Sequence, residues 1–322
     1  MIARGIPGTD LRVSPLCLGT ALYGATIDTP TAYALLDAFV ERGGTFLDTA
    51  RSYNDWIPGE RGRSEGLLGR WFNDRRCRQR MVLATKGGHA ADDGASRLNA
   101  RELARDVDAS LAKLRIDTID LYYLHRDDGV TPVASIIDAL NVHVKAGKIR
   151  YLACSNWTTA RIREANAYAA ASGQGGFVAN SPMWNAAVID ASRVPDRTLV
   201  VMDDPMWQWH LERGLACIPY SSQAGGLFAK LARPFGVLRA RLGRWPAGYP
   251  SDSNLRRFRA LAAVAAARAV PISHVVLAYL QAQPFVTVPI VGCRTVDQLL
   301  DSLAACDVVL EAAERQAIND AR

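Results

Sequence analysis

Residues 118–156, TIDLYYLHRDDGVTPVASIIDALNVHVKAGKIRYLACSN, place an amphipathic stretch between two apolar runs. The runs 118-TIDLYYLH-125 and 149-IRYLACSN-156 read as strands, and 132-PVASIIDALNVHVKAG-147 reads as a helix stopped by Gly147. A strand, a helix and a second strand in succession make a parallel pair, because the helix supplies the return crossing that parallel strands need. Outward from this unit the pattern recurs. Candidate strands lie at 15-PLCLGT-20, 45-TFLDT-49, 81-MVLATK-86, 177-FVANSP-182, 215-LACIPYSS-222 and 286-VTVPIVG-292. Helix-like segments stand at 30–43, 64–74, 98–114 and 158–173, with Pro30 near a start and Gly43 and Gly173 near stops.

About eight such units over 322 residues fit a closed (β/α)8 barrel, an α/β TIM barrel forming one domain over residues 1–322. A doubly wound open sheet is the alternative. Its usual dinucleotide form carries G-x-G-x-x-G after the first strand, where this chain has 19-GTALYG-24. Two insertions, 186–203 and 223–253, would overhang the face where the strands end.

Composition narrows the function classes. With 49% hydrophobic and 22% charged residues the chain is ordinary for a globular protein. The net charge of +6 is spread among acids, as in 101-RELARDVDASLAKLR-115, which reads as a solvated helix face and not as a nucleic-acid surface. The six cysteines lack Cys-x-x-Cys spacing and read as reduced, buried thiols, with no metal site. Neither an export segment nor an apolar run of about 18 residues is present, so the expected location is the cytoplasm, with no membrane partner.

The polar residues at the strand ends carry the chemistry. Asp48 ends the second strand with Tyr53 just beyond; Lys86 ends the third, His125 the fourth, and Ser155 and Asn156 the fifth. In a parallel barrel these ends converge on one mouth. An ammonium beside a phenol stabilises the phenolate and lowers the phenol pKa, and a carboxylate keeps the buried lysine charged. Lys86 and Asp48 would fill those roles, leaving Tyr53 as general acid and His125 as a donor to a carbonyl oxygen. Reduction of an aldehyde or ketone needs this proton donor. The hydride has to come from a nicotinamide cofactor, since no side chain provides one.

Several segments together resemble the aldo-keto reductase superfamily: 46-FLDTARSY-53, 64-SEGLLG-69, 84-ATKGG-88, 117-DTIDLYYLHRDD-128, 147-GKIRYLACSN-156, 219-PYSSQAGGLF-228 and 292-GCRTVDQL-299. The resemblance covers nearly the whole chain. It implies a (β/α)8 barrel whose bottom is closed by an N-terminal hairpin from 3-ARGIPGTDLRVS-14, and a mouth that binds NADPH in extended form. Asp48, Tyr53, Lys86 and His125 stand at the positions of the family's catalytic tetrad. The cofactor contacts it implies are Gly19, Thr20 and Asp48 at the first two strand ends, and Ser155 and Asn156 on the nicotinamide carboxamide. Tyr220, Ser221, Ser222, Ala224, Gly226 and Leu227 fall in the pyrophosphate loop, and Gly292, Arg294 and Gln298 at the adenosine end, with Arg294 facing the 2′-phosphate. Where the family has a glutamine and then an aromatic, Asn180 is matched to the carboxamide contact and Trp184 to the ring-stacking one.

The implied activity is NADPH-dependent reduction of an aldehyde or ketone, or the reverse oxidation of an alcohol, sugar or polyol. Two other readings remain open here: an NADP-binding regulatory or redox-sensing subunit of the same superfamily, and an aldolase-type barrel in which Lys86 forms a Schiff base. The substrate walls are expected from Tyr23, Tyr53, Trp56 and His125, from Arg126 with Asp127 and Asp128, and from the 223–253 insertion with Phe235 and Trp245. Aromatic walls suit a ring or a sugar face, and the charged trio suits hydroxyls.

Overall fold

Side chains alternate across a strand, so each short apolar run in this chain supplies both the inside of a barrel and the seat for its helices. The computed structural model describes residues 2–238 and 248–321. Eight parallel strands follow in order: β3 (Cys17–Gly19), β4 (Phe46–Asp48), β5 (Val82–Gly87), β6 (Ile119–Leu124), β7 (Ile149–Ser155), β8 (Phe177–Ser181), β9 (Ala216–Cys217) and β10 (Ile290–Val291). Each pairs with the next through β9, and β10 pairs with β3 through Ile290 opposite Cys17. The remaining seam is joined by hydrogen bonds from Cys217 N to Val286 O (2.8 Å), Val288 N to Cys217 O (2.9 Å) and Ile290 N to Pro219 O (2.9 Å). The fold is the expected (β/α)8 barrel.

Inside it, Phe46 and Tyr123 pack with Ala84, Ala153, Ala179 and Ala216, so small side chains leave room for large ones. On the outer side, Leu18, Leu47 and Leu83 pack on Leu35 and Phe39 of α1 (Thr29–Glu41) and Leu67, Leu68 and Trp71 of α2 (Arg63–Arg75). Tyr122, Leu152 and Phe177 meet α3 (Ala100–Leu114), α4 (Val133–Lys145) and α5 (Thr159–Ala171). Each large apolar side chain removed from water here contributes ~1.5–3 kcal/mol. Capping fixes the helix starts. Asp28 accepts from Thr31 N, Asn99 from Glu102 N and Thr158 from Arg161 N.

The hairpin of β1 (Arg4–Gly5) and β2 (Arg12–Val13) sends Ile6, Leu11 and Val13 into the barrel core. Arg4 donates to Gln281 O and Thr287 O, and Asp10 accepts from Arg150 at the start of β7. These partners lie near the strands' N-terminal ends, so the hairpin closes the bottom, as the resemblance implied. The second half carries α6 (Asp204–Arg213), α7 (Leu227–Leu231), α8 (Ser251–Ala267), α9 (Ile272–Gln281), α10 (Val296–Ala304) and α11 (Ala312–Asp320). The 186–203 insertion reaches the mouth, where Val200 O accepts from Met183 N and Val200 N donates to Asn156. All six cysteines are free, five buried and Cys306 half-buried. Among the described residues no single helix is long and apolar enough to cross a membrane.

Candidate active site

The loops after β4, β5 and β6 are locked to one another before any ligand is considered. Arg51 N donates to Lys86 O (3.0 Å) and His125 N to Gly87 O (2.8 Å). Asp106 of α3 pairs with Arg51 at 2.9 Å and accepts from Gly88 N at 2.9 Å. Gly87 is required between Lys86 and Gly88, since a Cβ there would lie 1.9 Å from the Tyr122 hydroxyl and 2.9 Å from Asp106 Cβ.

This frame brings Asp48, Tyr53, Lys86 and His125 together. Lys86 Nζ donates to both carboxylate oxygens of Asp48 (2.7 and 2.6 Å), to Thr49 O (2.9 Å) and to the Tyr53 hydroxyl (2.9 Å). The Tyr53 hydroxyl in turn donates to Asp48 Oδ2 at 3.4 Å. Burial works against the Lys86 charge, but Asp48 and Tyr53 overcome it and its pKa is raised. Lys86 is therefore an ion-paired ammonium, which removes the basis of the Schiff-base reading. For Tyr53, burial outweighs the opposing pull of Lys86, and the phenol is pushed up to about 12. The expected acidification is thus present as a contribution and overturned in sum. Burial, followed by the charges of Lys86 and Arg126, holds His125 well below 6.5, so its ring is neutral at neutral pH. His125 Nδ1 lies 3.3 Å from Ser52 Oγ, and its ring meets Tyr53 and His89 edge-on, with centroids 5.8 and 4.9 Å away.

These four side chains line one end of a cleft of about 930 Å³. Gly19 and Tyr23 form one wall, and Arg126, Ser155, Asn156 and Tyr220 the mouth side. Asn156, held at φ 59, accepts from the Tyr220 hydroxyl (2.6 Å) and donates to His125 O (3.2 Å). The cleft then runs past Ser221, Ser222 and Gly226 to Gly292, Arg294 and Gln298. Arg294 is exposed, and its backbone N–H is held by Gln298 Oε1 at 2.9 Å.

Other expected contacts are elsewhere. Asn180 faces away from the cleft, toward α6, where its amide meets Met206 Sδ and His210 Nε2, each at 3.4 Å. Alternation along β8 puts Ser181 on the barrel side instead: its carbonyl accepts from Ser155 Oγ at 2.9 Å, and its buried hydroxyl has no partner among the described residues. Trp184 is buried against Phe285, with centroids 6.1 Å apart. Thr20 is fully buried, its hydroxyl on Asp48 O and Ser64, behind the cleft wall. Ala224 and Leu227 pack into the hydrophobic cluster beneath the loop. Trp56 and Phe235 are 66% and 72% exposed and do not line the cleft, and Trp245 lies outside the described residues. Sequence reasoning missed Gln223, Lys230 and Arg233, which line the cleft from the second insertion. Their signal was the pair of basic residues three apart beside the glycines at 225 and 226.

A model of the Aldo/keto reductase family matches residues 15–322. Norsolorinic acid reductase B of Aspergillus parasiticus is 34% identical over 98% of this chain and 82% of that protein. An uncharacterized oxidoreductase of Bacillus subtilis is 30% identical over 97% of this chain and 93% of its own length. Aryl-alcohol dehydrogenase [NADP(+)] of Phanerodontia chrysosporium is 30% identical over 98% and 84%.

Proposed function

The chain belongs to the aldo/keto reductase family and is an oxidoreductase, and from that premise we propose that it uses NADPH to reduce an aldehyde or ketone to an alcohol, with Tyr53 as the proton donor. The observation that carries this reading is the Lys86 ammonium shared between Asp48 and the Tyr53 hydroxyl at the cleft's end. A bound nicotinamide supplies the hydride. Tyr53, with its pKa about 12, holds its proton at neutral pH and can give it to the oxygen that becomes the alkoxide. Lys86 then faces the phenolate left behind and stabilises it, while Asp48 keeps the lysine charged. Neutral His125 lies with Nδ1 3.3 Å from the Ser52 hydroxyl, and in the tautomer whose Nδ1 accepts from Ser52 its Nε2 proton can be directed at the same oxygen.

The residues present suit the cofactor. Ser155 and Asn156 line the cleft and could hold the carboxamide, whereas Asn180, assigned that contact in sequence, lies outside it. Tyr220 lines the cleft and Trp184 does not, so Tyr220 is the ring that would flank the nicotinamide. Gly225 and Gly226, at φ 61 and 78, form a turn open to a pyrophosphate. Lys230, Arg233 and Arg294 bring positive charge to the far end, which favours the extra phosphate of NADPH over NADH. The relative named for NADP-dependent aryl-alcohol oxidation supports the same cofactor and an aromatic carbonyl as a first substrate to try.

The test is NADPH oxidation followed at 340 nm with a panel of aldehydes, ketones and sugars, for the wild type and Tyr53→Phe. Reduction should fall by roughly 10²–10⁴ in the variant with little change in NADPH affinity. Near wild-type turnover in Tyr53→Phe would remove the phenol from the reaction.

A further inference from the structure

Three charged residues follow β6, and the structure divides them. Asp127 is committed to Arg161 through two hydrogen bonds of 2.9 and 3.1 Å. Asp128 accepts from the hydroxyls of Ser96 and Thr131 and from the backbone of Val130 and Thr131. Neither aspartate lines the cleft, and Arg126 does. The sugar-hydroxyl contacts expected of this trio therefore lose two of their three donors and acceptors.

Arg126 is held in place from behind. Its Nε donates to Thr198 Oγ1 (3.0 Å) and one terminal nitrogen donates to His125 O (2.9 Å). Among the described residues the other terminal nitrogen makes no hydrogen bond, and its ion-pair partner Asp196 stands at 3.6 Å, beyond hydrogen-bond length. That carboxylate is half exposed and is itself engaged by the backbone and hydroxyl of Thr198. A guanidinium fixed by two bonds, loosely neutralised, and attached to the backbone of His125 is a preorganised anion site beside the reacting carbonyl. The neighbouring charges agree with this. Lys86 is spent on Asp48, and His89 and His125 add no negative charge. A substrate hydroxyl would accept a bond there without neutralising the guanidinium, whereas a carboxylate fits the planar fork and its charge together.

Resting on the reading of the cleft as a carbonyl-reducing site, we propose that the substrates are carbonyl compounds that carry a carboxylate, and that Arg126 binds this carboxylate in place of its loose contact with Asp196. Arg126 is here a specificity residue. It acts on binding of the whole substrate, so its effect belongs in KM.

The experiment compares 4-carboxybenzaldehyde with its neutral methyl ester, methyl 4-formylbenzoate, using NADPH and the wild type, Arg126→Gln and Asp196→Asn. The readout is the ratio of kcat/KM for acid over ester, which cancels effects common to both. Arg126→Gln should lower this ratio about tenfold, mainly through KM of the acid. Added salt at about 0.5 M should lower it in the wild type and leave the Arg126→Gln ratio unmoved. A ratio unchanged by Arg126→Gln overturns the proposal. Should that variant be insoluble, Asp196→Asn decides: a ratio raised several-fold, through release of Arg126 from its competitor, supports the proposal, and an unchanged ratio overturns it. If the wild type reduces no carbonyl of the wider panel, the carbonyl-reduction reading itself fails; if it reduces carbonyls but neither probe, or both with a ratio that ignores charge, only the carboxylate assignment fails.

Discussion

Replacing Glu65 with glutamine should change how the stability of this protein depends on pH. Glu65 sits on α2 with none of its surface exposed, accepts from the Thr85 hydroxyl at 2.6 Å, and lies directly behind the strand that delivers Lys86. Burial drives its pKa from 4.5 up to about 7, with Thr85, Ser110 and Arg51 easing the charge only in part. In the unfolded chain the carboxyl titrates near its ordinary value. The folded state therefore binds the proton more tightly, so this group's stabilisation is fully present below pH ~4.5 and is lost as pH rises toward and through about 7. Each pKa unit is about 1.36 kcal/mol, and the whole rise amounts to about 3 kcal/mol. Glutamine keeps the shape and the acceptor for Thr85 without the titration. In urea unfolding at fixed ionic strength, Glu65→Gln should match the wild type within about 1 kcal/mol at pH 5. It should become the more stable of the two by about 2–3 kcal/mol at pH 8. A gap between the two proteins that stays constant from pH 5 to pH 8, or one that favours the wild type at pH 8, would refute the assignment of a neutral carboxyl to this position.

Lys86→Met should cost stability as well as rate, since it leaves the buried Asp48 carboxylate without its cation; about 3–5 kcal/mol by urea unfolding and a fall in reductive kcat are expected. Borohydride treatment of the wild type with an aldehyde should trap no adduct on Lys86. Arg294→Ala should weaken NADPH binding about tenfold and leave NADH binding nearly unchanged, read by fluorescence titration; exposure and the neighbouring Lys230 and Arg233 keep the effect at the lower end for a charge-assisted contact. Equal weakening of both cofactors would show that Arg294 does not read the phosphate. Asn180→Ala should destabilise the fold by about 1–3 kcal/mol and leave NADPH affinity within about twofold, because its side chain serves the packing of α6 and not the cleft. A larger loss of NADPH affinity would return Asn180 to the site.

The barrel was legible because the strands are short apolar runs, most of them followed by a helix with a cap or a glycine stop, and one-dimensional pattern is enough to say so. The four residues around Tyr53 were legible for a related reason: Asp48, Lys86 and His125 are polar where the run ends, and parallel strands must end together. Asn180 lies one residue from the inward-facing position on β8. A strand turns over every residue, and β7 and β8 slip in register between Leu152 and Ala153, so which of Asn180 and Ser181 faces inward is settled by pairing that the sequence does not display. Trp184 looked free to stack on a ligand, and Phe285, a hundred residues later, had already claimed its face. The pKa of Tyr53 was misjudged because a neighbouring lysine is visible in sequence and the depth of burial is not. Lys230 and Arg233 went unnoticed because they sit in an insertion, where no periodic constraint singles out a position.

The seam of the barrel has a consequence for how the protein is made. Cys17 N bonds to Pro289 O at 3.0 Å, and Arg4 reaches Gln281 and Thr287, so the first barrel strand and its hairpin find their partners in a part of the chain synthesised much later. At ~5–20 residues per second, the nascent chain waits roughly 15–55 s between the emergence of β3 and that of β10. Throughout that interval β3 presents a free edge on the ribosome, open to pairing with another chain. Hydrophobic strands made early and closed late place this enzyme's risk of aggregation in its synthesis, and slower translation of the stretch between β9 and β10 would lengthen the exposure.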